Sequence, residues 1–250
     1  MIWQILILSL FILVILILSL WNRQKHNPIY LVVSRYNENI SWLFSAPFNR
    51  YPTIVYEKSP NPHPDCVPPP CERVILPNVG RCDHTYLHYI ITHYHNLPDK
   101  IIFLPGSVQS PLKFSNARHI MDIIENNHAL DEYFKAQSEH DMKAGLYNFM
   151  LDEWQASDTD NQKLNREKKL EKSPIRPFGR WFEHHFSDKQ KIHGVWYGGV
   201  FASTRDRIRR HPLELYQRLI RDVETHSNPE AGHYVERSWF SLFGDSPKKE

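Results

Sequence analysis

The chain has 250 residues, with 30 basic and 28 acidic side chains and a net charge of +2. That balance gives no case for a nucleic-acid partner, which requires a clustered basic excess. Three cysteines, one of which must stay unpaired within the chain, define no redox compartment.

Residues 2–21 carry no charge and are almost entirely Leu, Ile, Val and Phe, from Ile5 through Leu20, with Trp3 and Trp21 at the two ends. About 20 apolar residues in a helix span a hydrocarbon core, and indole rings favour its interfaces. The start lacks a basic n-region and no small-residue cleavage site follows, so the stretch reads as an uncleaved single-pass anchor over residues 1–21. Residues 22–28 form a polar linker, residues 29–244 one domain, and residues 245–250 a polar tail. Arg23 and Lys25 follow the anchor and no side-chain charge precedes it, which favours a cytoplasmic domain.

The domain begins with a continuous apolar run, Ile29–Ser34, that reads as a buried strand. A second strand is expected over Thr53–Tyr56, then a Pro-rich loop over residues 59–70; Cys66 and Cys71 flank Val-Pro-Pro-Pro and could form a short disulfide in an oxidising lumen. Tyr86, Leu87, Ile90, Ile91 and Tyr94 recur at helical spacing and predict a helix over Asp83–Asn96. Lys100–Leu104 is a third buried strand. This strand–helix–strand order predicts an α/β domain with a mostly parallel central sheet. Further helices are expected over Ala117–Asn126, from Arg205 with a break at Pro212, and over Ala231–Phe243. A strand interrupted by Gly198 and Gly199 is expected over Val195–Ala202, and residues 151–172 read as an exposed polar stretch.

Three constellations carry chemistry. Arg35-Tyr36-Asn37-Glu38 ends the first strand, and α/β sheets bind ligands outside the carboxyl ends of their strands. There Arg35 offers a planar fork for phosphate, or an ion-pair partner for Glu38, and Asn37 an amide for a base or ribose edge. Asn78-Val79-Gly80-Arg81 opens a helix whose free N–H groups form an anion site, with Arg81 adding charge; an ordinary cap is the alternative. His233, Glu236 and Arg237 share one side of the last helix. Glu236 suits a general base there, and Trp239 a stacking platform, although the same carboxylate could simply pair with its neighbours.

Fifteen histidines are scattered without metal-ligand spacing, leaving a metal-dependent hydrolase as a remote reading. Asp158-Thr159-Asp160 is formally a D-x-D, but it lies in a polar stretch with no apolar strand ahead of it. No metal site is assigned.

Taken in order, Val33–Glu38, Leu76–Arg81, Thr85–Leu87, Tyr197–Phe201 and Gly232–Trp239 resemble an uncharacterised family of fungi and large DNA viruses, catalogued as a domain of unknown function. The resemblance covers most of residues 29–244. That family in turn is similar to the GT-A glycosyltransferases, which bind nucleotide-diphospho-sugars on an α/β fold. The resemblance implies a membrane-anchored transferase that moves a sugar from a nucleotide sugar to a glycan or protein acceptor. It implies donor contacts from Arg35, Asn37, Glu38, Asn78, Gly80 and Arg81, and acceptor contacts from Tyr197, Gly198, Gly199 and Trp239. Catalysis falls to Glu236 with His233, and the membrane is of endoplasmic reticulum or Golgi type, where such transferases face the lumen, so the orientation of the domain stays open against the charge rule. Mn²⁺ or Mg²⁺ is the cofactor such chemistry takes, yet Ile101–Leu104 is followed by Pro105-Gly106-Ser107 with no carboxylate. Either the reaction is metal-independent, with Arg35 or Arg81 supporting the leaving diphosphate, or the domain is an inactive glycan- or partner-binding module.

Overall fold

A computed structural model describes residues 29–59, 71–126, 145–154, 162, 170–186, 190–192 and 194–245. The expected anchor, Cys66, and the Asp158–Asp160 pair lie outside these residues. Among the described residues no helix is long and apolar enough to cross a membrane.

The core is a five-stranded sheet: β1 (Ile29–Arg35), β2 (Thr53–Glu57), β3 (Cys71–Ile75), β4 (Lys100–Pro105) and β5 (Phe201–Thr204), in spatial order β3-β2-β1-β4-β5. The four strands β1 to β4 run parallel and β5 pairs antiparallel with β4, so the sheet is mixed but mostly parallel, as the sequence predicts. Central β1 and its neighbours β2 and β4 are buried along almost their whole length, which explains their unbroken apolar runs. The edge strand β3, Cys-Glu-Arg-Val-Ile, is only half-buried, so no apolar run marks it and the sequence reading misses it.

Six helices accompany the sheet among the described residues: α1 (Arg81–His93), α2 (Pro111–Glu125), α3 (Phe178–His185), α4 (Arg205–Arg209), α5 (Leu213–Arg221) and α6 (Glu230–Phe243). α1 packs on β1 and against α5 and α6, while α2 packs against β5 and the turn after β4. α3 was not expected, although Phe178, Trp181, Phe182 and His185 follow helical spacing and are all buried. The expected strand over 195–202 is confined to β5. Gly198 and Gly199 hold φ of +81° and +68°, which no strand accommodates, so this stretch turns before it pairs.

A continuous aromatic stack ties the layers together. Phe201 of β5 lies between Phe103 of β4 (4.8 Å between ring centres) and Trp239 of α6 (5.1 Å), and Trp239 continues to Phe243 (5.6 Å). Tyr86 of α1 joins from the side, 5.1 Å from Phe103. The stack locks α1 and α6 against the sheet, and with them the residues at their N-terminal ends.

Candidate functional site

The parallel strands all end on one edge of the sheet, and the segments leaving them carry most of the reactive groups. After β1 the chain turns at once, with Asn37 left-handed (φ +61°) and Glu38 folding back so that its carboxylate accepts the N–H of Tyr36. Glu38 packs over Gly106, just past β4, where an added Cβ would meet its Oε2 at 2.8 Å. After β2, Ser59 donates its hydroxyl to the Asn37 side chain and Lys58 turns inward toward the start of α1. Gly80 caps α1 in the left-handed region (φ +57°) and Arg81 follows in the same region (φ +53°), a conformation a non-glycine residue holds only when its surroundings enforce it.

Three more pieces close on the same edge. The Gly198–Gly199 turn lies over the first turn of α1, with Gly199 against the Cys82 thiol and its carbonyl accepting the Tyr86 hydroxyl at 2.8 Å. Glu236 of α6 accepts the N–H of Gly198 at 2.9 Å. Lys113, in the first turn of α2, runs alongside Gly198 and donates to Ser107 at 2.8 Å. Acidic Glu38, Asp83 and Glu236 are thus interleaved with basic Lys58, Arg81 and Lys113.

Burial sets the electrostatics. It pushes Glu38 up to about 7, against the opposing hydrogen bond from Tyr36 and the charges of Lys113 and Arg35. Burial also pushes Asp83 well up, the nearby Glu236 adds to this, and the indole N–H of Trp239, at 2.8 Å from its Oδ1, works the other way. The same desolvation drives Lys58 down to about 7. Perturbed groups of both signs, gathered at a strand edge, make this edge the candidate site.

The family described as "Protein of unknown function (DUF3431)" matches over residues 31–249. The chain belongs to it. No curated protein and no solved structure matches the chain. Family membership supplies no activity, so the chemistry rests on the geometry of this edge.

Of the residues the sequence singles out, the structure brings Asn37, Glu38, Gly80, Arg81, Gly198, Gly199 and Glu236 to this edge. Asn78 sits half-buried in the turn before Gly80, and Tyr197 stands exposed beside the guanidinium of Arg237, 5.4 Å from its ring centre. Three residues take other parts. Arg35 is only 5% exposed; its guanidinium pairs with Glu57 of β2, not with the carboxylate of Glu38, and its Nε donates to the Glu38 carbonyl at 2.8 Å. It fastens the ends of β1 and β2 rather than facing a ligand. Trp239 is fully buried between Phe201 and Phe243, so neither face is left for a sugar, and its N–H instead anchors Asp83. His233 is buried against the ring of Trp154, and burial, then Arg81 and Arg237, hold it well below the usual histidine range. It is a neutral support 4.0 Å from Glu236.

Sequence reasoning misses Lys58, Asp83 and Lys113. Lys58 follows β2 just as the Arg35–Glu38 run follows β1, so the rule that singles out one strand end points to the other. A second layer holds Arg81. Its guanidinium lies 3.5 Å above the ring of Trp154, and the segment carrying Trp154 is tied down by the fully buried carboxylate of Glu230, which accepts the N–H groups of Leu151 and Ser173 at 2.9 Å each.

Among the described residues each carboxylate at the edge accepts a protein N–H. Among the described residues no group of three metal-ligating side chains occurs.

Proposed function

We propose that the chain is a membrane-anchored glycosyltransferase of the GT-A kind, which moves a sugar from a nucleotide sugar to an acceptor hydroxyl. The observation carrying this reading is the convergence of Arg81, Lys113 and the N-terminus of α1, which no side chain caps, with the Asp83 and Glu236 carboxylates at the carboxyl edge of the parallel strands. A diphosphate leaving group needs positive charge and N–H donors where its own charge develops, and an acceptor hydroxyl needs a base.

Glu236, aimed by the N–H of Gly198, takes the acceptor proton. The acceptor oxygen attacks the anomeric carbon while the bond from that carbon to the diphosphate oxygen breaks. The electron pair leaves with the nucleoside diphosphate, whose charge meets Arg81, Lys113 and the first N–H groups of α1. Asp83, pushed up by burial and then by the neighbouring Glu236, keeps its proton more readily than an ordinary carboxyl. Tyr197 lines the acceptor side. The apolar stretch at residues 2–21 supports anchoring in a membrane.

The test is release of nucleoside diphosphate by the full chain across a panel of nucleotide sugars, with and without chelator. Glu236→Gln removes the base at nearly constant shape and should lower release by about 10²- to 10⁴-fold. Full release by that variant would refute the assignment of Glu236. No release from any donor, with retained glycan binding, would make the domain a binding module.

A further inference from the structure

Lys58 is the most unusual cation in the domain. It follows β2 directly, is 4% exposed, and donates through Nζ to the carbonyls of Val79 and Arg81, which flank the left-handed Gly80. One ammonium therefore pins both sides of the turn that opens α1. That turn is also where backbone conformation is costly: Gly80 and Arg81 are left-handed in succession, and no side chain caps the helix.

We propose that Lys58 is the positioning residue of this site. By clamping the carbonyls of Val79 and Arg81 it holds the Gly80–Arg81 turn, so that the Arg81 guanidinium and the N–H groups of α1's first turn face a phosphate-bearing anion, with its own charge standing behind them. The proposal rests on the reading that this edge receives the diphosphate of a donor.

Charge and burial give the clamp a readout of its own. The groups facing Lys58 are Glu38 from the end of β1 and Arg81, Cys82, Asp83, His84 and His88 from α1. Burial has already lowered its proton affinity to about 7, whereas an unburied lysine titrates near 10.4. An anion seated on the turn stabilises the ammonium and raises that value. Above about pH 7, binding then takes up a proton, and affinity falls as the pH rises.

Inorganic pyrophosphate is the probe, and the full chain is titrated by calorimetry in buffers of different ionisation enthalpy. Lys58→Met keeps the stem and deletes the donors. It should bind pyrophosphate about 10- to 100-fold more weakly, the loss expected for charge-assisted hydrogen bonds. The proton uptake seen in the wild type, corrected by the same titration of the variant to cancel the probe's own protonation, should vanish. A measurement on the wild type alone guards against a variant that fails to fold. In protein carrying ¹³C at lysine Cε, one resonance should titrate about three units below the others and move up when pyrophosphate is added. Equal affinity in the variant, no wild-type binding, or a resonance indifferent to pyrophosphate would overturn the proposal. Lys58-dependent pyrophosphate binding without sugar transfer from any donor would sink the transferase and leave the positioning role standing.

Discussion

Glu57→Ala tests the frame beneath the site most directly. Glu57 is fully buried; one carboxylate oxygen takes the Arg35 guanidinium and the other accepts the N–H of Ser59 at 3.0 Å. Removing it strands Arg35, 5% exposed, as a buried charge whose remaining partner is the Glu38 carbonyl. Breaking one side of such a pair costs about 3–5 kcal/mol, a large part of the roughly 5–15 kcal/mol that holds a domain folded. At about 2–4 °C per kcal/mol for a domain of this size, the melting temperature should fall by roughly 6–20 °C. Replacing both partners by apolar groups, Arg35→Met with Glu57→Met, removes the stranded charge and should cost less, about 1–3 kcal/mol. Denaturant titration of Arg35→Met, Glu57→Met and the double variant reads the cycle. The folded double variant should still bind pyrophosphate, because Arg35 braces two strand ends and does not touch the ligand. A cost under about 1 kcal/mol for Glu57→Ala, or single costs that simply add in the double, would refute the coupling. Loss of pyrophosphate binding in a well-folded double variant would return Arg35 to the donor site.

Two further outcomes follow from the same edge. Glu38 titrates at about 7 when folded and near 4.3 unfolded, so the stability it contributes is full below about pH 4.3 and lost as the pH rises through 7. Glu38→Gln should therefore be more stable than the wild type at about pH 8, by about 1–3 kcal/mol, with the gain shrinking toward pH 5; urea midpoints across that range check it, and a gain that grows in acid would contradict the sign. Gly80→Ala places a Cβ 2.3 Å from the backbone carbonyl of Val223 at a φ of +57°, so left-handed strain and overpacking together should cost about 2–5 kcal/mol and abolish pyrophosphate binding. Gly232→Ala, whose Cβ would meet nothing nearer than 3.6 Å, is the control, and thermal melts should show it neutral or slightly stabilised.

What the sequence discloses and what it hides divide along a physical line. β1, β2 and β4 are legible because a strand buried on both faces leaves an uninterrupted apolar run, and α1 because Tyr86, Leu87 and Ile90 must line one face. β3 is hidden because an edge strand needs no such run. The same line divides the edge residues. Gly80 and the Gly198–Gly199 pair are legible as positions where the backbone must take positive φ, and Glu236 as a carboxylate on a helix with basic neighbours. Whether a side chain faces ligand or core is another matter, since it depends on partners distant in the chain. Arg35 meets Glu57, 22 residues away, and Trp239 meets Asp83, 156 residues away. A guanidinium at a strand end and an indole on a helix look like binding groups until those partners are placed. Lys58 is the converse. It reads as an ordinary surface lysine after a strand, and only the fold shows its stem buried and its ammonium clamped on the turn that aims Arg81. The clamp also bears on how Arg81 can sit left-handed beside Gly80: one ammonium holds the carbonyls on both sides of that turn.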